Sequence, residues 1–310
     1  MSISSKVGII GGAGLLGSTA AFLIALEEVA DEIVLVDMKA NLAEAHAMDM
    51  GQSVCEHSDT QIFSGGFSDL KDCDVVINVA GIPEMKAGSR NDYLSGNTAV
   101  YKDIADQIKK WDKCPVILSA SNPIDVLNYR LFEMSGLPRE KLVGFSRNDS
   151  LRFIWSTALE TGISAKNING LVIGEHGEAQ VPLFGSLRYV DSGLPIGIDE
   201  KQKESILMRV NNYFGDYQKL ESGRSSGWTS GVGLCSVVKL ILSDSDEQCP
   251  CSIIPAGEYG MSEVSIGLPV KLGRNGVREV MNINLSEDER ARLKVAEDKI
   301  KGLIDLSRTF

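Results

Sequence analysis

The sequence predicts an α/β protein in which a doubly wound parallel sheet comes first and a mixed α+β domain follows. Strand-sized apolar segments alternate with helical segments through the first half of the chain, the pattern of a parallel sheet with helices on both faces. After about Asp149 this alternation stops, and short strand-like segments stand beside longer helices. The 310 residues suit two domains, which we place at residues 1–148 and 149–310.

Each predicted strand is a short apolar run, and each predicted helix has apolar residues at helical spacing. Strands of the first half are expected at residues 6–10, 32–36, 61–63, 75–80, 116–119 and 142–144. Its helices are expected at residues 15–29, from about 41, from the end of a polar loop at 81–90 to about 111, and at 125–134. In the second half, helices are expected at 149–160 and at 201–242 with a break near 222–227, and strands at 171–173, 181–184 and between 251 and 280. Ser286 and Glu289 form a capping box that begins a C-terminal helix.

The composition indicates a cytoplasmic protein that binds neither membranes nor nucleic acid. The apolar runs are shorter than the roughly 18 residues of a membrane span, and the N-terminus has no signal-peptide pattern. The net charge of −11 would repel nucleic acid phosphates. The six cysteines are scattered except for Cys249 and Cys251, which have no further ligands at zinc spacing, so we expect free thiols and no metal site.

A glycine-rich turn follows the first strand and opens the first helix. It contains Gly12, Gly14, Leu15, Leu16 and Gly17. The first glycine permits a tight turn, the second lets backbone N–H groups approach a pyrophosphate, and the third lets the helix pack on the strand. Such a turn can be purely structural, but Asp37 ends the next strand about 20 residues further on, where a carboxylate hydrogen-bonds the adenosine ribose. Because that carboxylate repels a 2′-phosphate, the sequence predicts NAD rather than NADP.

Histidine is scarce, and His176 has the setting most typical of a catalytic residue. His46 lies on a predicted helix and His57 in a polar loop. His176 instead lies between Gly174 and Gly177, just after a strand. A glycine-flanked loop exposes the ring to a cleft, and imidazole exchanges protons near neutral pH. An ordinary loop histidine has the same local pattern, so by itself His176 is only a candidate acid or base.

Asp149 and Arg152 lie together at the start of a predicted helix. Separately, the acid would complement the helix dipole and the arginine would be solvated. Their spacing, however, puts both near the first turn. There the acid could hold a histidine while the guanidinium grips a carboxylate through two hydrogen bonds.

Taken together, these segments resemble the lactate/malate dehydrogenase family. The matching segments are the glycine turn at 12–17, Asp37, and residues 80–90, 121–123, 149–153 and 174–177. They occur in the family's order, and the resemblance covers nearly the whole chain. It implies a Rossmann domain that binds NAD, a following substrate domain, and hydride transfer between NAD and a small 2-hydroxy or 2-oxo acid. It also implies a homodimer or homotetramer.

The resemblance also implies a role for each candidate residue. His176 would be the general acid/base, Asp149 would orient it, and Arg152 would bind the substrate carboxylate. Arg90 would close over the site on a mobile loop and polarise the carbonyl. Asn122 would contact both the substrate and the nicotinamide ribose. The residues implied at the cofactor are Gly12, Gly14, Leu15, Leu16, Gly17, Asp37, Ala80, Gly81, Asn97 and Asn122.

Substrate choice is where the chain departs from the family. Glu84 occupies the position, counted back from Arg90, at which lactate enzymes usually carry Gln and malate enzymes Arg. A glutamate about 4 Å from the second carboxylate of oxaloacetate costs on the order of 4 kcal/mol at an effective dielectric near 20. Either Lys86 or Arg224 supplies a cation, or the substrate has a polar or cationic tail, for which the small Ser226 leaves room.

Malate is the leading single substrate by overall resemblance, and lactate or a bulkier or polar-tailed 2-hydroxy acid is the alternative. Two functions of another class share part of this pattern. A family 4 glycoside hydrolase shares the NAD-binding architecture but needs a Cys/His metal pair, and the His-Gly motif and paired arginines argue against it. A non-catalytic NAD-binding protein would not need His176, Asp149, Arg152 and Arg90 together.

Overall fold

The computed structural model describes residues 5–82, 90–222 and 227–310. Within these ranges the chain forms eleven strands and eight α-helices. The strands are β1 (Lys6–Ile10), β2 (Glu32–Val36), β3 (Gln61–Ser64), β4 (Val75–Asn78), β5 (Val116–Ser119), β6 (Leu142–Phe145), β7 (Ile168–Gly174), β8 (Gln180–Tyr189), β9 (Gln248–Ile253), β10 (Ile266–Gly273) and β11 (Gly276–Val280). The helices are α1 (Leu15–Leu26), α2 (Ala40–Val54), α3 (Arg90–Ile108), α4 (Ile124–Ser135), α5 (Arg147–Thr161), α6 (Glu200–Lys219), α7 (Trp228–Leu242) and α8 (Glu287–Ser307).

The first six strands form a parallel sheet in the order β3-β2-β1-β4-β5-β6. Every residue of β4 and β5 is buried, as expected for central strands whose two faces are both covered by helices. The strand order reverses between β1 and β4, which leaves a crevice at the carboxyl ends of the strands. The predicted doubly wound sheet is confirmed, and its crevice is where a ligand of such a fold binds.

The second half of the chain extends this sheet. Strand β9 pairs antiparallel with β6, with Gly144 opposite Ser252 and Phe145 opposite Cys251. The order then continues β9-β10-β7-β8, and β11 also pairs with β10, beyond the point where β7 does. The two halves are therefore joined by backbone hydrogen bonds directly before α5 begins. This pairing fixes the position of α5, which carries Asp149 and Arg152, relative to the parallel sheet.

Helix α7 packs against both halves of the chain, and its start lies at the glycine-rich turn. A Cβ atom on Gly231 would lie 2.5 Å from Thr19 Cγ2, so α7 and α1 are in close contact. Gly227, the residue before α7, lies against Leu15, since a Cβ there would be 3.0 Å from Leu15 Cγ. The start of α7 therefore touches the turn predicted to hold a pyrophosphate.

Several element boundaries differ from the sequence prediction. Helix α1 ends at Leu26 instead of residue 29, and Glu28 adopts a φ of 51°, which is incompatible with a continuing helix. Strand β4 ends at Asn78, whose side chain accepts a hydrogen bond from Ala80 N at 3.2 Å. The predicted capping box of the C-terminal helix is present, with Ser286 and Glu289 reciprocally bonded. No helix in the described part of the chain combines the length and the apolar character needed to cross a membrane.

Candidate active site

The glycine-rich turn presents an open helix N-terminus to the crevice. Gly14 is the N-cap of α1, no side chain caps this end, and the first turn contains no acidic residue. Gly17 is buried beneath the turn, where a Cβ atom would lie only 2.3 Å from the carbonyl oxygen of Gly11. Uncapped N–H groups at the positive end of a helix bind phosphate oxygens. The turn therefore fits the diphosphate of a dinucleotide.

Asp37 lies at the end of β2 and is tied to the same turn. Its Oδ2 accepts a hydrogen bond from Ala13 N at 3.0 Å, and its Oδ1 accepts one from Lys39 N at 3.0 Å. Each carboxylate oxygen has a second lone pair available. The position beside the α1 N-terminus suits a group that binds ribose hydroxyls next to a diphosphate.

The loops after β4 and β5 are braced against each other. Ser121 Oγ donates to Ala80 O at 2.7 Å, and Asn97 Nδ2 donates to Asn122 O at 2.8 Å. Asn97 is fully buried, and its Oδ1 also accepts a hydrogen bond from Ile82 N at 2.8 Å. Asn97 therefore holds the two loops from behind, whereas Asn122 is exposed at the crevice.

His176 follows strand β7 and faces the start of α5. Its ring Nδ1 lies 2.7 Å from Asp149 Oδ2, and Asp149 is only 4% exposed. Because an ionised carboxylate only accepts hydrogen bonds, this contact assigns a proton to Nδ1 and leaves Nε2 for a substrate. Asp149 Oδ1 accepts a hydrogen bond from Arg152 Nη1 at 3.2 Å. One buried acid thus links the imidazole to the guanidinium.

The charges around His176 favour its protonated form. Burial of the ring opposes protonation, but the charge of Asp149 and its hydrogen bond to Nδ1, together with the charge of Asp125, outweigh burial and the repulsion of Arg152. The net result is a His176 pKa above its usual value of 6.5. A raised pKa increases the fraction of the ring that can donate a proton near neutral pH.

Arg152 is held between an acid and an aromatic ring. Its guanidinium carbon lies 4.6 Å from the ring centroid of Tyr213 on α6, and its Nη1 bonds Asp149. Its Nε is buried and has no hydrogen-bond partner among the described residues. The guanidinium also lines a cavity of about 470 Å³ beside Trp155 and Trp228. A guanidinium that is held by an acid and an aromatic ring at the wall of a cavity is suited to binding a carboxylate.

The structure also shows contacts of His176 that sequence reasoning missed. Asp125 Oδ2 accepts a hydrogen bond from the backbone N of His176 at 2.7 Å. Lys299 of α8 donates to Glu175 Oε2 at 2.9 Å, beside His176. The only hint in the sequence was that Asp125 follows closely after the segment containing Asn122. Nothing local to these residues marks them as neighbours of the histidine.

The remaining predicted site residues lie at the edges of the described structure. Arg90 is the first residue of α3. Glu84, Lys86, Arg224 and Ser226 lie outside the described residues. The side chains predicted to transfer the proton are thus described, whereas the residues predicted to select the substrate are known from sequence alone.

Comparison with known proteins gives this geometry a family. Residues 5–144 match the lactate/malate dehydrogenase NAD-binding domain, and residues 147–310 match the α/β C-terminal domain of lactate/malate dehydrogenase. The chain belongs to the lactate/malate dehydrogenase family. This dehydrogenase is 34% identical over 304 residues to a malate dehydrogenase of Halobacterium salinarum, with 97% of this chain and 99% of that relative covered.

Solved structures of both kinds of enzyme resemble the dehydrogenase. The malate dehydrogenase of Cryptosporidium parvum matches with a TM-score of 0.92 at 26% identity, over 99% of this chain and 100% of that one. A minor L-lactate dehydrogenase of Enterococcus mundtii matches with a TM-score of 0.90 at 26% identity, over 97% of this chain and 98% of that one. The backbone alone therefore does not separate the two substrates.

Family membership confirms the predicted reaction class. The chain is an NAD-dependent hydroxy-acid dehydrogenase with a Rossmann sheet, and its curated relatives favour malate. The glycoside hydrolase and the non-catalytic alternatives are therefore set aside. Within the described ranges, no group of three or more His, Cys, Asp or Glu side chains is arranged to hold a metal ion.

Proposed function

We propose that the enzyme interconverts malate and oxaloacetate with NAD and NADH, using His176 as the proton donor and acceptor. The observation that carries this proposal is the chain of contacts from His176 through Asp149 to Arg152. It places an imidazole with a raised pKa beside a guanidinium held in place by the same acid. Those are the two groups needed to protonate a carbonyl oxygen and to hold the neighbouring carboxylate.

In reduction, the hydride comes from the nicotinamide when NADH is bound. His176 gives its Nε2 proton to the oxygen of the C2 carbonyl, and Asp149 stabilises the ring through Nδ1. Arg152 orients the substrate by its C1 carboxylate, Arg90 polarises the carbonyl, and Asn122 contacts the substrate. In oxidation, the neutral ring takes the alcohol proton back.

The residues proposed to hold NAD follow the carboxyl edge of the parallel sheet. The open N-terminus of α1 would bind the diphosphate, and Asp37 would bind the adenosine ribose. The loops braced by Asn97 would contact the nicotinamide half. The full proposed set is Gly12, Gly14, Leu15, Leu16, Gly17, Asp37, Ala80, Gly81, Asn97 and Asn122.

A substrate panel with NADH tests the proposal. We expect the highest kcat/KM with oxaloacetate among oxaloacetate, pyruvate, branched 2-oxo acids and 2-oxo acids with polar or cationic tails. The rate is read as loss of NADH absorbance. No turnover with any of these acids would overturn the proposed reaction, and a higher kcat/KM for another acid would overturn the assignment of malate.

A second substrate class is favoured by one observation, the acidic residue at position 84. If Glu84 faces the substrate, a polar or cationic tail is preferred, and Glu84→Arg should raise kcat/KM for oxaloacetate about a thousandfold, since about 4 kcal/mol of repulsion is removed. Glu84→Gln should favour pyruvate. Glu279→Arg on strand β11 makes the same charge change away from the site. It should alter kcat/KM neither for oxaloacetate nor for pyruvate. No gain in Glu84→Arg would mean that Glu84 points away from the substrate and would leave malate as the proposal.

We further propose that residues 1–148 and 149–310 act as separate domains, that the enzyme is a homodimer or homotetramer, and that it works in the cytoplasm. The change of family domain between residues 144 and 147 supports the division. Exposed Trp155, Trp228 and Val232 on α5 and α7 lie around one cavity and form an apolar patch, and contiguous apolar patches often mark a protein–protein contact. Light scattering after size exclusion tests the oligomeric state, and cell fractionation tests the location in the cytoplasm.

A further inference from the structure

Asp125 is a buried acid that the proposed reaction does not use. It lies in the first turn of α4 and is 3% exposed. A carboxylate is rarely buried this deeply unless several hydrogen bonds hold it. Its partners therefore indicate what it does.

Both carboxylate oxygens of Asp125 are used. Oδ2 accepts the backbone N–H of His176 at 2.7 Å, and Oδ1 accepts the hydroxyl of Ser252 at 2.5 Å. Ser252 also contacts Ser265 Oγ at 2.8 Å, and Asn128 Nδ2 donates to the same Ser265 oxygen at 3.0 Å. The network connects α4, β9 and the residue before β10 to the loop that carries the histidine.

His176 is consequently held at two points by two different acids. Asp125 binds its main chain from α4, and Asp149 binds its ring from α5. A residue fixed at both its amide and one ring nitrogen has little freedom to turn. The free Nε2 is then directed to one place, as efficient proton transfer requires.

The charged groups that face this histidine come from each element around it. Asp125 lies on α4, and Asp149 and Arg152 lie on α5. Glu175 belongs to the histidine's own loop and is paired with Lys299 of α8. Lys299 also bonds Glu178 of the same loop, at 3.3 Å. Of the acids around the ring, Asp149 and then Asp125 have the largest effect on it.

We propose that Asp125 is a positioning residue for His176, which fixes the histidine's main chain and adds a second negative charge that favours the protonated ring. The proposal rests on the proposed role of His176 in proton transfer. It assigns Asp125 no contact with substrate or cofactor. It makes α4, which follows directly from Asn122, part of the support of the proton donor.

The protonation behaviour of the two residues agrees with this role. Burial raises the pKa of Asp125 to about 6. The hydrogen bonds from Ser252 and from the backbone of His176 lower it, as does the charge of His176, but burial has the larger effect. Asp125 is therefore mostly ionised at neutral pH. For His176, burial lowers the pKa, and Asp149 and then Asp125 raise it above its usual value.

The test compares Asp125→Asn with Ser265→Ala. The first keeps the shape of the side chain and an acceptor for the His176 amide but removes the charge. The second disturbs the same buried network without touching the histidine loop, because Ser265 is fully buried against Ser252 and Asn128. Both variants are expected to lower Tm, so Tm alone does not separate support of His176 from support of the fold.

The deciding readout is the pKa of His176, measured by NMR on enzyme with ¹⁵N-labelled histidine. The chain has three histidines, and the signal lost in His176→Asn identifies the one of interest. Asp125→Asn should lower this pKa by roughly 0.5 to 1 unit. At a pH above the pKa, a shift of this size lowers the protonated fraction of His176 about three- to tenfold, so kcat/KM for reduction should drop by the same amount. The midpoint of its pH profile should move to lower pH. Ser265→Ala should change neither.

An unchanged His176 pKa in Asp125→Asn, or an equal shift in Ser265→Ala, would overturn the inference. If Asp125→Asn is not soluble, Ser252→Ala is the alternative variant, because it removes the hydroxyl that donates to Asp125. It should lower the His176 pKa as well, but by less. The NMR titration needs no substrate. A shifted pKa in an enzyme inactive toward every 2-oxo acid would therefore contradict the proposed function and leave the role of Asp125 intact.

Discussion

The cofactor edge in the first half and the reaction centre in the second half are built by different means. At the cofactor edge, backbone N–H groups of α1 and the absence of side chains at Gly14 and Gly17 create the site. At the reaction centre, a hydrogen-bonded series of charged side chains runs from His176 through Asp149 to Arg152. The backbone site is suited by shape and dipole to a diphosphate, and the side-chain site is suited to proton transfer.

The difference predicts how each region responds to substitution. Changing a charged side chain at the reaction centre should reduce turnover and leave the affinity for NADH unchanged. Adding atoms at the cofactor edge should reduce the affinity for NADH and leave the proton chemistry intact. The following substitutions test this separation.

The largest effect is expected for His176→Asn. Removing the proton donor should lower kcat for reduction by roughly 10² to 10⁴. The Kd for NADH, measured by fluorescence, should stay within about twofold of wild type, because the glycine turn is untouched. His57→Asn, an exposed histidine on the chain between α2 and β3, is the control and should behave as wild type. Normal turnover in His176→Asn would mean that His176 is not the proton donor.

Next in size is Arg152→Lys, which keeps the charge and removes the planar fork. Loss of the paired hydrogen bonds to the substrate carboxylate should lower kcat/KM about 10²- to 10³-fold, mostly through KM. Arg209→Lys, whose guanidinium contacts Glu160 at 3.4 Å between α6 and α5, should change kcat/KM little. Equal losses in both variants would indicate a general disturbance of α5 instead of a substrate contact.

A smaller effect is expected at the cofactor edge for Gly17→Ala. The new Cβ would lie 2.3 Å from Gly11 O, so the turn must shift at a cost of about 1 to 3 kcal/mol. The Kd for NADH should rise roughly 5- to 150-fold, and kcat at saturating NADH should fall much less. Gly51→Ala on α2 meets no atom within 4 Å and is the matched control. A Gly17→Ala enzyme with normal Kd and lowered kcat would contradict the separation of the two regions.

The parts of the molecule that were predictable from sequence are those that local spacing determines. The strands and helices of the parallel sheet follow from apolar runs, and the proximity of Asp149 to Arg152 follows from one turn of helix. The glycine turn was recognisable because its neighbours along the chain are also its neighbours in space. These features need no knowledge of the rest of the fold.

The other features depend on contacts between distant segments. Asp125 and His176 are 51 residues apart, and they meet because α4 and the end of β7 converge at the same edge of the sheet. The pairing of β6 with β9 joins residues over a hundred positions apart, and no apolar pattern marks β9 as the partner. For Glu84 the sequence identified a conflict in charge, but its resolution depends on where the side chain points.

The central claim is that a protonated His176 drives reduction and a neutral one drives oxidation. The most direct test is the pH dependence of kcat/KM in both directions, with NADH and the preferred 2-oxo acid and with NAD and its 2-hydroxy acid. In the enzyme without ligand, the pKa of His176 lies above 6.5. The kcat/KM for reduction should therefore fall as pH rises through a midpoint above that value, and the kcat/KM for oxidation should rise through its own midpoint. Asp149→Asn should move the reduction midpoint to lower pH. Profiles that change in the same direction for both reactions, or a reduction midpoint unaffected by Asp149→Asn, would contradict the account.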